Sequence, residues 1–73
     1  MKIKGLYQSS LVHHWVVQLL NNKFYIFYAT PFREISEKDF QTQVFKNVDE
    51  QTALKYLKPA PQYMLKCYGL EIV

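Results

Sequence analysis

Two adjacent histidines, one cysteine, a pair of serines and a few carboxylates are the side chains of this chain whose types and spacing suggest chemistry. His13 and His14 invite a metal-binding or base role. Neighbours on a strand point to opposite faces, however, so the two imidazoles cannot share one ion in an extended backbone; they read as structural or surface histidines. Cys67 alternates with apolar Leu65, and Lys66 faces away from it, so it reads as a small core hydrophobe rather than an activated thiolate. Its solitude excludes an internal disulfide and a Cys-based zinc site. Ser9-Ser10 lacks a G-x-S-x-G setting and reads as a turn. Asp49 and Glu50 belong to the positive end of a helix, and Asp39 to a solvated loop. No acid, base and nucleophile can be assembled, so the expectation is a non-enzymatic protein with no catalytic residues, no metal and no cofactor.

The elements that would position such groups must come from 73 residues, which make one domain. A chain of this size buries only about 60% of its unfolded surface, so its stability needs dense packing or self-association. Six Tyr, five Phe and Trp15 favour dense packing. The net charge of +3 and pI near 9.1 permit acidic partners without selecting one. All the cations but Arg33 are lysines, and a scarcity of Arg disfavours base-specific DNA reading. Apolar runs are short and the first residues lack the core of a signal peptide, so a cytoplasmic protein is expected, or one of the host cytoplasm if phage-encoded, with no membrane partner.

Val12 to Ala29 reads as a hairpin turning at Asn21-Asn22, residues that tolerate positive φ. That register pairs Leu19 with Phe24, Val17 with Ile26 and Trp15 with Tyr28 on one apolar face. The other face then carries His14, Val16, Gln18, Lys23, Tyr25 and Phe27. Before the hairpin, Met1 to Tyr7 alternates as a strand interrupted at Gly5, followed by a turn at Gln8-Ser9-Ser10. After it, Thr30-Pro31 ends the second strand and Ser36-Glu37-Lys38-Asp39 resembles a helix start. A strand is favoured over Gln41 to Phe45. Asn47 to Lys58 reads as a helix capped by Asn47 or Asp49, stopped by Pro59-Ala60-Pro61. Gln62 to Val73 reads as a last strand, bulged at Gly69 and pinned in or beside the sheet. The predicted fold is α+β: a mostly antiparallel sheet of four or five strands built on a central hairpin, with one helix packed on one face.

One helix covers one face of a sheet, so the face holding Val16, Tyr25 and Phe27, rimmed by His14, Gln18 and Lys23, with Arg33 nearby, is the predicted binding surface. Aromatics beside cations suit a protein hot spot or the stacking of single-stranded nucleic acid. The expectation is a small protein-binding module or inhibitor acting through that face or a strand edge. Its partner would be another protein, including a second copy of the chain in a homodimer. Nucleic acid is the alternative partner, and no small-molecule substrate is expected. The stretch VFKNVDEQTALKYLK, following a hairpin and a strand, resembles the three-strand-plus-helix DNA-binding domains that begin phage integrases, over about half of the chain. That resemblance implies a sheet reading DNA, whereas this hairpin carries only Lys23 on the corresponding face. By architecture alone the plan is similar to small phage-encoded inhibitors, the anti-CRISPR proteins among them.

Overall fold

The computed structural model describes residues 1–9, 14–27 and 32–73. Gly5 breaks the first strand as expected, separating β1 (Lys2–Ile3) from β2 (Gly5–Ser9). The Tyr7 ring folds back over Gly5, where a Cβ would meet ring carbons at 2.6 Å, so this close approach requires glycine. Gln8 and Ser9 are strand rather than turn: Gln8 pairs with Trp15 and Lys58, and Ser9 with Leu57. Ser10, His13, Tyr28 and Thr30-Pro31 lie outside the described residues.

The central hairpin is present, but its register differs by one residue from that expected. β3 (Trp15–Gln18) and β4 (Phe24–Phe27) pair Trp15 with Phe27, Val16 with Ile26, Val17 with Tyr25 and Gln18 with Phe24. The turn decides this. Leu19 N–H donates to Lys23 O at 2.9 Å, leaving a three-residue loop that Asn22 closes at φ 70°. A three-residue loop ending in a left-handed residue is a standard hairpin connection. Asn21 Oδ1 accepts the Lys23 N–H at 3.0 Å, and Lys4 Nζ donates to Asn22 Oδ1. The shift puts Phe24 and Ile26 on the face of Val16 and Gln18, and Tyr25 and Phe27 on that of Trp15 and Val17.

Ser36 precedes a short 3-10 turn over Glu37–Asp39, and its N–H donates to Asp39 Oδ2 at 2.9 Å. The next strand, β5 (Phe40–Val44), pairs with β4 and carries an extra residue between the partners of Ile26 and Phe27. The helix read over Asn47–Lys58 is shorter than expected. α1 covers Glu50–Leu54, capped by Asp49, whose carboxylate accepts Thr52 N–H at 2.8 Å. Leu57–Pro59 leaves the helix as β6 and pairs with β2. The last strand is also corrected. Tyr63–Tyr68 is helix α2, with Met64 and Tyr68 buried one turn apart, and Gly69 ends it at φ 67° while Leu70 N–H donates to Leu65 O at 2.8 Å. Only Glu71–Ile72 is strand, as β7, in a separate parallel pair with β1.

The main sheet therefore runs β5-β4-β3-β2-β6, antiparallel throughout, with the hairpin at its centre. Two short helices replace the single expected one, and they serve different faces. Leu6, Val17 and Phe27 pack with Met64 and Tyr68 of α2 and with Ile3, Ile35 and Leu70. Val16, Phe24 and Ile26 pack with Ala53 of α1 and with Leu57. Both faces of the sheet are closed, so the folded chain has two thin cores on either side of one layer.

Candidate functional site

The residues predicted to form one binding face are dispersed. Val16 and Phe27 are 0% and 1% exposed and lie in opposite cores. Gln18 is 1% exposed, and its Nε2 finds no hydrogen-bond partner. Tyr25 is half-buried, its ring stacked on Phe40 at 6.1 Å and 22°. His14, Lys23 and Arg33 are exposed, at the start of β3, beside the hairpin turn and before the 3-10 turn. The expected aromatic platform is thus interior. The argument that one helix leaves one face bare fails because α2, read as a strand, is a second helix.

With both faces closed, the free backbone of the sheet lies at its two edges. At β5 the orientation follows from the hairpin. The Leu19–Lys23 hydrogen bond makes Val17–Tyr25 a hydrogen-bonded pair, since such pairs alternate along an antiparallel ladder. Phe24 and Ile26 then turn their backbone groups towards Val44 and Thr42 on β5. Gln43, between them, directs its N–H and C=O away from the sheet. No residue of Phe40–Val44 is charged and none is proline, so two of the usual guards of an edge strand are missing. The bulge lies at the Phe40 end, leaving Thr42 to Val44 regular. Phe45 follows at φ 55° and ends the strand.

The β6 edge is built otherwise. It is three residues long, and Ala60 N–H donates to Leu6 O at 2.8 Å, so Pro59 occupies a position whose N–H would point outwards. Proline has none to offer, and Lys58 adds a charge beside it. Next to this edge a cleft of about 260 Å³ is lined by Gln8, Ser9, Lys55, Tyr56, Leu57 and Lys58. Tyr56 is 47% exposed, with its ring parallel to that of Phe45 at 6.3 Å and 12°.

Electrostatics around these features are local. Arg33 pairs with Asp39, and this guanidinium, then the Ser36 N–H, holds the Asp39 carboxyl below its ordinary value. The Thr52 N–H and hydroxyl do the same for Asp49. Lys4 Nζ meets Glu50 at 3.2 Å, bracing the start of α1 against the hairpin side of the sheet. Burial, then the nearby Glu50 charge, raises the Tyr7 phenol. Cys67 is half-buried on α2 rather than on a strand. Among the described residues no group of three His, Cys, Asp or Glu is placed to hold a metal ion, and no helix is long and apolar enough to cross a membrane. Sequence reasoning named a strand edge without saying which strand forms it: the uncharged FQTQV run was a legible signal, whereas the K-Y-L-K cluster was hidden inside an over-long helix. Comparison of the chain with protein-family models, with curated proteins and with solved structures finds no match.

Proposed function

We propose that the chain is a small, non-enzymatic protein-binding module that takes up an extended segment of a protein partner along β5. In strand addition, main-chain hydrogen bonds supply affinity and alternate side chains supply selectivity. The observation that carries this reading is the outward-facing backbone of Gln43 on a strand with neither charge nor proline. The covered faces add support, because the apolar strand residues in these two clusters are already packed within the chain. Occupying a partner's strand in this way is also how so small a module would inhibit it. A second copy of the chain is one source of such a segment.

The test is selection of extended peptides on the intact protein, followed by amide exchange and Gln43→Lys. A selected peptide should slow exchange at Gln43 and lose at least about tenfold in affinity to the variant, a loss of roughly 1.4 kcal/mol. Near-ultraviolet circular dichroism should show the variant folded, since its backbone contacts to β4 lie at Thr42 and Val44. Peptides that bind the variant equally well, or protect amides elsewhere, would sink the reading. Sedimentation at rising concentration separates self-pairing from capture of a foreign segment.

A further inference from the structure

We propose that the cleft beside β6 binds a phosphate monoester carrying a flat ring, with Lys55 and Lys58 on the phosphate and Tyr56 under the ring. This lies at the opposite edge of the sheet from β5 and does not depend on the strand-addition reading. It also departs from the expectation that no small molecule is bound.

Three observations converge. First, the lining of the cleft contains two lysines and no carboxylate. The ion pairs among the described residues are Lys4 with Glu50 and Arg33 with Asp39, so neither Lys55 nor Lys58 is neutralised by an acid. An exposed lysine at a helix C-terminus is ordinarily explained by the helix dipole, and that accounts for Lys55. It does not account for Lys58, which lies beyond α1 in β6. Two lysines in the lining of one depression favour a doubly charged ligand over a single carboxylate, and lysine binds phosphate as a point charge. Second, Tyr56 lies between them in sequence and belongs to the same lining, and Phe45 stacks against its ring while the residue stays half-exposed. A ring braced in this way is a stacking surface of the kind that bases use. Third, the remaining lining residues include polar Gln8 and Ser9, from β2. A volume of about 260 Å³ is just below the usual range for small-molecule sites, which suits a phosphate and its ester link with the ring lying outward on Tyr56.

A second cleft among the described residues is built differently. That cleft, about 200 Å³ between β2, β6 and α2, is lined by Gly5, Leu6, Tyr7, Pro59, Ala60, Gln62, Leu65 and Ile72 and carries no charge.

Amide NMR titrations of the full chain with adenosine monophosphate, inorganic phosphate and adenosine test the proposal. Adenosine monophosphate should shift the amides of Ser9, Tyr56 and Lys58 saturably, in the millimolar range or tighter, and inorganic phosphate should move the same amides about tenfold more weakly. Lys55→Ala with Lys58→Ala should remove both responses, whereas Tyr56→Ala should weaken the nucleotide and spare the phosphate. A short single strand with and without a terminal phosphate distinguishes a free nucleotide from a strand end: tighter binding of the phosphorylated strand than of the monophosphate identifies the strand end. Absence of localised shifts with adenosine monophosphate, or shifts that persist in the double-lysine variant, would overturn the proposal. Both lysines are exposed and neither side chain forms an ion pair among the described residues, and alanine keeps their backbone bonds, so the double-lysine variant should remain folded.

Discussion

The two edges of the sheet face the same problem and are built from different materials. β5 presents five residues with no charge and no proline, and Gln43, between Thr42 and Val44, turns its backbone outwards. β6 presents three residues, places proline where an outward N–H would stand, and sets Lys58 beside it. Unguarded edges are templates for pairing, and guarded ones are not. The difference teaches that this small fold leaves an uncharged, proline-free strand on one side alone, while the other side gathers lysines around a cleft. A partner strand would pair along β5 and an anionic ligand would sit beside β6, with the Tyr56–Phe45 stack reaching from that cleft to the end of β5.

The comparison presupposes that both faces of the sheet are shut, and the largest expected effect tests that premise. Phe27→Asp should abolish the cooperative unfolding transition in calorimetry. Truncating a buried Phe alone costs about 3–5 kcal/mol, and small domains have little more than that to lose. A folded Phe27→Asp protein would mean that the α2 face is open and that the edges are not where binding must be sought.

A direct attempt to make β6 resemble β5 comes next. Pro59→Thr with Lys58→Thr restores an outward N–H and removes the charge, and concentration-dependent association should appear in sedimentation. If the double variant stays as monodisperse as the parent, then strand length rather than its guards separates the two edges.

Smaller effects test the covers of the two faces. Gly69→Ala forces a side chain into left-handed backbone and against Glu34, so the end of α2 should loosen at a cost of about 1–2 kcal/mol in denaturant titration. On the α1 face, Gln18→Leu replaces a buried amide whose Nε2 lacks a partner, and it should be neutral or stabilising by about 1 kcal/mol. A marked loss on that substitution would show that the amide is satisfied in solution and that this face is not dry. Acid should act most gently. Asp39 and Asp49 are held below their unfolded values, so their contribution is complete above about pH 5 and fades as pH falls through roughly 4 and lower. A thermal midpoint that is flat down to pH 3 or so would mean that neither contact matters to the fold.

Much of the architecture was legible in residues alone. Asn21-Asn22 marked the hairpin, Gly5 the break in the first strand, Ser36 with Asp39 the short turn, and Asp49 the cap of α1, because each of these is a local hydrogen-bonding or backbone requirement that neighbours in sequence satisfy. The predicted binding face was not legible, because it rested on a register and on a helix count. Either register of the hairpin buries an apolar set, since β3 and β4 carry large side chains on both faces, and hydrophobicity then has no power to choose between them.

What the sequence determined by itself was therefore the class: an α+β layer around one aromatic hairpin, with its main stops and caps. Tertiary structure decided the rest. Asn22 in left-handed backbone, held by Lys4 from β1–β2, selected the hairpin register. Pairing with β2 drew Leu57–Pro59 out of the helix, and packing on Phe27 selected the one-turn spacing of Met64 and Tyr68 over the alternation of Tyr63, Leu65 and Cys67. Segments of three to six residues satisfy both periods at once, and only the surface they land on breaks the tie.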